Sequence, residues 1–310
     1  MEMITETEKT SQASSLVRKR TSNLLKEYGE LLECNGKLER ALECYEQALI
    51  VDCSNYSIFY QQSSLLHKLS RYKEAIASYD RMLALEPDDH YVWGSKGDAL
   101  KSLKCYEEAI ESYDRALEIK PDYHYAWQSR GDALEYLERY EEAIEDHDRA
   151  LEIKPDYHYA WQSRGDALGC LERYEEAIES YDHVLELKPD YHYVWHSRGN
   201  VLGYLERYEE AIESHNRALE IKPDYHHAWR SRGVALGCLE RYEEAIKSYD
   251  RALEIEPDYY YAWGFRGNAL SSLKRYEEAI ESYNRALEIE PNYYYIVKTR
   301  ESLLHQLSQL

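Results

Sequence analysis

The sequence predicts an all-α protein built from tandem pairs of helices. All seven prolines of the 310-residue chain lie on one series with a spacing of 34 residues, and all six tryptophans lie on a second series with the same spacing. A catalytic domain does not distribute its rarest residues in this way, whereas a stack of similar helical repeats does. The two series are Pro87, Pro121, Pro155, Pro189, Pro223, Pro257 and Pro291, and Trp93, Trp127, Trp161, Trp195, Trp229 and Trp263.

Each repeat carries small, bulky and helix-breaking residues at fixed positions. In the repeat that begins at His124, the landmarks at positions 4, 8, 11, 20, 24, 27 and 32 are Trp127, Gly131, Leu134, Ala143, His147, Ala150 and Pro155. This pattern resembles the tetratricopeptide repeat (TPR) family, which has aromatic residues at 4 and 24, glycine at 8, alanine at 20 and 27 and proline at 32. The resemblance implies a right-handed α-solenoid in which each repeat is a helix A, a turn and a helix B.

The resemblance covers most of the chain. It predicts a polar N-terminal tail over 1–21, eight repeats over 22–293, and a C-terminal capping helix over 294–310, because a solenoid end without a cap exposes its core. The first two repeats depart from the pattern, with Leu25 in place of tryptophan and Ser63 in place of glycine. The eight repeats are 22–55, 56–89, 90–123, 124–157, 158–191, 192–225, 226–259 and 260–293.

Local signals explain where the helices end. Pro155 ends helix B, because proline has no amide hydrogen and clashes with a continuing helix. Asp156 follows it and is expected to cap the next helix A with its side chain. On helix B, Glu145 and Arg149 are four residues apart with the acid first, so they are expected to pair.

Packing between the helices is also expected from the landmarks. Small residues such as Gly131 and Ala143 let helices A and B approach closely. Bulky residues at helical spacing, including Trp127 and Leu134, are expected to fill the gap between them.

Arginine at position 7, as in Arg130, departs from the leucine of the family. It is expected to form ion pairs between repeats, with anion binding as the alternative.

Composition limits the classes of partner and the location. The formal net charge is −21, which argues against nucleic acid or an anionic membrane surface as the main partner. Much of the acid lies on helix B, the outer helix of this family. No stretch is long and apolar enough to span a membrane, and the N-terminus lacks the apolar segment of a signal peptide. We therefore expect a cytoplasmic protein whose six cysteines are free thiols.

Motifs of catalysis and of metal binding are missing from the sequence. It contains no glycine-rich phosphate loop, nucleophile elbow, HExxH helix or EF-hand loop. His192 and His196 lie four apart, but no third ligand obviously completes a metal site. We therefore expect a protein that is not an enzyme and that needs no cofactor or metal.

The resemblance implies that the A helices line the concave face and that positions 2, 5, 9, 12 and 13 point inward. Many of these positions carry tyrosine, which offers a large contact area at low entropy cost, although packing between repeats is the alternative role. The candidate protein-binding residues are Tyr125, Gln128, Asp132, Tyr159, Gln162, Asp166, Tyr193, His196, Asn200, Tyr204, His227, Arg230, Tyr261 and Asn268.

The function expected from these observations is a non-catalytic scaffold that binds an extended protein segment in the concave groove. The alternative is a dedicated regulatory or assembly factor that docks onto one enzyme or membrane complex. A chaperone-tail clamp is not expected, because repeat one has Lys26 at position 5 but Glu30 at position 9, where that clamp needs asparagine. The partner, and the role of the basic run Arg18, Lys19 and Arg20, stay open.

Overall fold

The structure, a computed structural model, describes residues 6–309, and within them every element is an α-helix and no strand is present. The chain divides into two compact bodies, residues 1–155 and 156–310. We call them the N-terminal body and the C-terminal body. In each of them, a helix A packs against the helix B of its own repeat, and that helix B packs against the next helix A.

The N-terminal body holds four pairs of helices. They are α1 (Glu6–Cys34), α2 (Leu38–Val51), α3 (Tyr56–Lys68), α4 (Tyr72–Leu85), α5 (His90–Ser102), α6 (Tyr106–Ile119), α7 (His124–Tyr136) and α8 (Tyr140–Ile153).

The C-terminal body holds four further pairs and a final single helix. They are α9 (His158–Cys170), α10 (Tyr174–Leu187), α11 (His192–Tyr204), α12 (Tyr208–Ile221), α13 (His226–Cys238), α14 (Tyr242–Ile255), α15 (Tyr260–Ser272), α16 (Tyr276–Ile289) and α17 (Tyr294–Ser308).

The first helix starts earlier than the repeat pattern does. It begins at Glu6, so residues 6–21, which were expected to form a tail outside the repeats, continue helix A of repeat one backwards. Over residues 15–34 of α1, the first buried side chain is that of Ser22, whose hydroxyl donates a hydrogen bond of 3.0 Å to the carbonyl of Ala48. The basic run at 18–20 is exposed on the part of α1 that precedes this contact.

The turn between helices A and B depends on one residue in a left-handed conformation at position 15. In repeat six this is Glu206, and the next amide, that of Arg207, donates to the carbonyl of Leu202 at 2.9 Å. This six-to-one bond closes the end of a helix in a Schellman motif. Only repeat one places glycine there. The left-handed residues, with φ between 57° and 72°, are Gly36, Ser70, Lys104, Glu138, Glu172, Glu206, Glu240 and Lys274.

A hydrogen bond links the proline series to the tryptophan series. The indole nitrogen of Trp127 donates to the carbonyl of Pro121 at 2.8 Å, and Trp229 donates to Pro223 at 2.9 Å. The tryptophan therefore holds the loop that leads into its own helix A. The expected packing is confirmed, because Trp127 and Trp229 pack against buried core residues, while the half-buried indoles also lie beside the arginine of position 7.

The close approach of helices A and B is explained by glycine at position 8. A Cβ on Gly131 would lie 2.5 Å from the Cε1 of His147, the buried position-24 side chain of helix B. Two other local expectations were wrong. No side-chain cap is present at the start of α9, where Asp156 was expected to act, and Arg149 pairs with Glu152 rather than with Glu145.

At Arg198 and Arg266, the position-7 arginines form the expected ion pairs between repeats, whereas Arg232 bonds the uncharged Asn216 and Ser248. Arg198 donates to Asp182 on the preceding helix B at 2.6 Å and to Ser214 on its own helix B at 2.8 Å. Arg266 bonds Asp250 and Ser282 in the same way, both at 2.7 Å. Each guanidinium therefore joins two successive B helices through one A helix.

The final helix covers the last pair. On α17, Ile296 and Leu303 are buried, Val297 and Leu307 are half-buried, and Leu304 is exposed. Ile296 packs against the backbone of Gly264, since a Cβ there would lie 2.8 Å from its Cδ1. None of the helices between residues 6 and 309, including the 29-residue α1, is long and apolar enough to cross a membrane.

Candidate interaction surface on the A helices

We define the A-helix face as positions 2, 5, 9, 12 and 13 of each helix A, which contain all the residues predicted to bind a partner. The structure divides these residues into two groups. Some are tied into hydrogen bonds within the protein, and others present much of their surface to solvent. The two bodies differ in the balance between these groups.

In the N-terminal body, the predicted residues take part in internal bonds. The hydroxyl of Tyr125 donates to Asp98 at 2.7 Å and its side chain is half-buried. The amide of Gln128 is buried and donates to Asp132 at 2.7 Å, and Lys101 pairs with the other oxygen of Asp132 at 3.0 Å. These three predicted residues therefore stabilise the packing of neighbouring A helices.

One group of possible metal ligands lies beside them. A ligand atom from each of Asp132, Glu135 and His147 lies within 4.8 Å of the others. Glu135 accepts or donates a 2.8 Å hydrogen bond with the Nε2 of His147, and burial raises the pKa of Glu135. Since Lys101 and Gln128 also bond Asp132, the group is used for internal pairing.

Position 9 has the same structural role in the C-terminal body. The hydroxyl of Tyr181, at position 24, donates to Asp166 at 2.8 Å, and that of Tyr283 donates to Asn268 at 2.9 Å. Gln162 accepts a bond from Tyr191 at 2.8 Å. Burial raises the pKa of Tyr181, with the neighbouring Asp166 as the second cause. Tyrosine at 24 therefore stays a protonated donor to position 9.

The tyrosines of position 2 remain accessible in the C-terminal body. The exposed fractions of Tyr159, Tyr193 and Tyr261 are 50%, 41% and 39%, although each lies in the first turn of a packed helix. Tyr204, at position 13, is also exposed and stacks on Tyr174 with ring centroids 5.3 Å apart. These four rings are predicted residues that present a large surface to solvent.

The predicted histidines have different surroundings. His196 is buried, with its Nε2 3.2 Å from the hydroxyl of Ser231 and 3.4 Å from the amide of Asn200. Burial, and after it the charge of Arg230, lowers the pKa of His196 to about 4. His227 is exposed, and its Nδ1 lies 3.1 Å from the hydroxyl of Tyr259. At neutral pH, His196 is therefore uncharged.

A cleft of about 340 Å³ opens in the C-terminal body between α11, α13 and α15. Three predicted residues, Asn200, Tyr204 and Arg230, line it together. Gly203 widens it, because nothing lies within 4 Å of the place its Cβ would occupy. In repeat four the same position is Glu135, which bonds His147. Loss of the acid in repeat six leaves open space.

Sequence reasoning missed two features of this surface. Tyrosine at position 34, as in Tyr225 and Tyr259, packs edge-to-face on the position-1 histidine of its own repeat's helix A, with Tyr225 and His192 centroids 5.2 Å apart. The recurrence of this tyrosine every 34 residues was visible in the sequence. Phe265, at position 6 and one of two phenylalanines in the chain, lines the cleft. Two signals for Phe265 were available: phenylalanine is rare in this chain, and repeats three to seven carry serine at position 6.

The repeats match the Tetratricopeptide repeat family over most of the chain. Models of that family match residues 90–123, 124–157, 158–191, 192–225, 227–259 and 260–293, and a further model matches 29–90. The chain belongs to the tetratricopeptide repeat family. No functionally curated protein matches it in sequence.

Solved structures share the fold of this TPR protein at low identity. YrrB, described as a TPR protein with an unusual peptide-binding site, is 21% identical, with a TM-score of 0.53 over 62% of this chain and 99% of its own. A tetratricopeptide repeat protein from Parabacteroides merdae is 16% identical, with a TM-score of 0.61 over 81% and 99%. A chain of an APC/C hetero-tetramer is 16% identical, with a TM-score of 0.60 over 98% and 61%.

Proposed function

We propose that this TPR protein is a non-catalytic scaffold that binds an extended protein segment along its A-helix face. Membership of the TPR family supports a role in protein interaction in general. The particular surface is inferred from the side chains that the fold leaves accessible. The observation that carries the proposal is the exposure of the position-2 tyrosines of α9, α11 and α15.

Those tyrosines are exposed, whereas polar side chains near them on the A-helix face form hydrogen bonds within the protein. Asp166 and Asn268 accept hydrogen bonds from the position-24 tyrosines, so they have less capacity left for a partner. The rings of Tyr159, Tyr193 and Tyr261 still present 39–50% of their surface. Aromatic side chains carry much of the energy at protein interfaces, so these rings are the contact sites that we propose.

Tyr125 is assigned a different role from its counterparts. Its hydroxyl is bonded to Asp98 and its ring is half-buried, so replacing it would disturb the packing as well as any binding. A test of binding is therefore made with the three tyrosines of the C-terminal body. The near-identity of the repeats supports an extended partner, because a periodic face offers the same contact at regular intervals.

The outer B helices provide the matched control. Glu175, Glu209 and Glu243 are exposed in the first turns of α10, α12 and α14. Exposed charges contribute about 0–1 kcal/mol to an interaction. Reversing these three charges changes the net charge of the protein strongly but leaves the A-helix face as it is.

The experiment selects a binder from immobilised random dodecapeptides and measures its affinity by calorimetry. We expect the combined Tyr159→Ala, Tyr193→Ala and Tyr261→Ala change to weaken binding by about a hundredfold or more, since anchors of this kind can contribute about 2 kcal/mol each. Circular dichroism checks that the array still folds.

The combined Glu175→Lys, Glu209→Lys and Glu243→Lys change should alter the affinity by less than about tenfold. If these charge reversals abolish binding and the tyrosine changes do not, the partner lies on the B helices and the proposal is wrong.

A further inference from the structure

We propose that the cleft between α11, α13 and α15 is a subsite for a carboxylate of the bound segment, held by Arg230. This inference rests on the proposed function, since it names the chemistry that the A-helix face recognises at one place. It starts from a comparison of the same position in different repeats.

Arg230 lacks the partner that its position has elsewhere. In repeat four the side chain of position 5, Gln128, donates to the carboxylate of position 9, Asp132, at 2.7 Å. In repeat seven, position 5 is Arg230 and position 9 is Val234, which has no acceptor. Compared with repeat four, repeat seven therefore has an additional positive charge at position 5 and lacks the carboxylate at position 9 that would pair with it.

The guanidinium finds no acid elsewhere in the described part of the chain. Its one recorded hydrogen bond there runs from an Nη to the hydroxyl of the adjacent Ser231 at 3.2 Å. Its Nε is shielded from water and has no acceptor. By contrast, Arg130 in repeat four bonds both Asp114 and Asp146. Arg230 thus has no carboxylate partner among the described residues, in a chain whose net charge is −21.

The wall of the cleft contains no acidic residue. The groups beside Arg230 are uncharged at neutral pH, because burial lowers the pKa of His215 to about 3 and that of His196 to about 4. Arg230 is therefore the permanent charge of the cleft. The polar lining residues are Asn200, Tyr204, Tyr208, His215 and Ser231.

A second buried donor or acceptor lies at the same cleft. His215 is 2% exposed and lines the cleft. The equivalent His147 of repeat four bonds Glu135 through its Nε2, and the Nδ1 of both rings has no partner. Gly203 stands at the position of that acid in repeat six. Positions 9 and 12 carry internal carboxylates in repeat four but none around this cleft, where position 9 of repeat seven is Val234 and position 12 of repeat six is Gly203.

The charge of the cleft selects the class of anion. A planar guanidinium matches a carboxylate with two parallel hydrogen bonds. A phosphate carries about two negative charges at neutral pH. One arginine with neutral neighbours, inside a strongly acidic protein, would leave a phosphate under-compensated. A singly charged carboxylate, from an acidic side chain or from a chain end, fits the charge. Phe265 and Val234 add an apolar wall beside it.

The first test observes the arginine directly. In protein labelled with ¹⁵N-arginine, the Nε–H signal of Arg230 is identified by its loss in Arg230→Gln and followed during titration with sodium acetate. We expect a saturable shift of this signal, no shift with sodium chloride, and no shift for the exposed Arg217 of α12. A shift that is the same for acetate and chloride overturns the proposal.

The second test uses peptides and a substitution that restores the missing partner. Random dodecapeptides are presented once with a free C-terminus and once amidated, so that a chain-end carboxylate and a side-chain carboxylate are told apart. For a selected peptide, changing its acid to the amide should weaken binding to the wild type by about tenfold or more. The same change should have no effect on Arg230→Gln or Val234→Asp.

Val234→Asp is the sharper of the two variants. It keeps the arginine and supplies a carboxylate four residues along the same helix, as Asp132 does in repeat four. Arg217→Gln is the matched control for loss of one positive charge, because Arg217 pairs with Glu220 on helix B. If the acid-to-amide change is equally costly in all variants, the subsite is not at Arg230.

The two tests separate this inference from the proposed function. If acetate shifts Arg230 but no dodecapeptide binds, the carboxylate subsite stands and the scaffold proposal fails. If peptides bind along the tyrosines without any preference for an acid, the scaffold proposal stands and the carboxylate subsite is refuted.

Discussion

Replacing glycine at position 8 with alanine should destabilise a repeat, and helix α13 carries its own control. A Cβ on Gly233 would lie 2.5 Å from the Cε1, 2.8 Å from the Cδ1 and 2.8 Å from the Cζ of Tyr249. A Cβ on Gly237, one turn later, would lie 3.9 Å from the hydroxyl of the same ring. The first is a clash and the second is an ordinary contact.

The size of the effect follows from what the ring can do. Tyr249 is 2% exposed, and the three atoms nearest to Gly233 lie along the edge of its ring, so the ring must move as a whole. Overfilling a packed site costs about 1–3 kcal/mol. Alanine gains about 1 kcal/mol over glycine inside a helix, and this gain is common to both variants. We therefore expect Gly237→Ala to be more stable than Gly233→Ala by about 1–3 kcal/mol.

Hydrogen exchange of the amides of α13 and α14 measures this difference, because repeats couple mainly to their neighbours and can open locally. Gly233→Ala should lower the free energy of opening there, while Gly237→Ala should leave it equal or raise it. Equal protection in the two variants would refute the account of why helices A and B need glycine at this position.

Two further predictions concern the turn and the pH dependence. Glu206→Gly should stabilise repeat six by about 0.5 kcal/mol, measured by hydrogen exchange. A left-handed residue other than glycine costs about 1–2 kcal/mol, but glycine loses more conformational entropy on folding, which offsets part of the gain. Destabilisation would contradict this explanation. Burial lowers the pKa of His215 to about 3, against about 6.5 in an unfolded chain, so the folded form binds fewer protons between these values. The free energy of unfolding of α11 and α12 should therefore fall as pH falls through this window, by up to about 1.4 kcal/mol per pH unit. His215→Tyr should make this dependence on pH weaker. An unchanged pH dependence would show that His215 is not the cause.

Much of the fold could be predicted from the sequence because the repeat multiplies each weak signal. One tryptophan or one proline says little, but their common 34-residue spacing predicts where each helix pair lies. The hydrogen bond from Trp229 to Pro223 supplies the physical reason for that common spacing. Helix length at the start of the chain was not predictable in this way, since residues 6–21 have no counterpart in the repeats.

The candidate site was predictable in position but not in accessibility. Sequence placed Tyr125 and Tyr159 at the same position of their repeats, yet the structure half-buries one and exposes the other. Asp98, which holds the hydroxyl of Tyr125, lies 27 residues earlier in the chain. Such a bond depends on the packing of two A helices. The cleft at Arg230 is likewise visible only in the structure, which shows that no acidic side chain lines it to neutralise the guanidinium.

Cysteines provide a direct test of where a partner lies. Cys170 and Cys238 are exposed at position 13 of the A-helix face, and Cys238 lines the cleft, whereas the exposed Cys53 lies in a loop that follows helix α2. A selected dodecapeptide that carries one activated disulfide is allowed to bind and to exchange with protein thiols, and the captured cysteine is identified by mass spectrometry. Binding along the A-helix face predicts capture by Cys238 and Cys170. Capture by Cys53 in preference to both would contradict it.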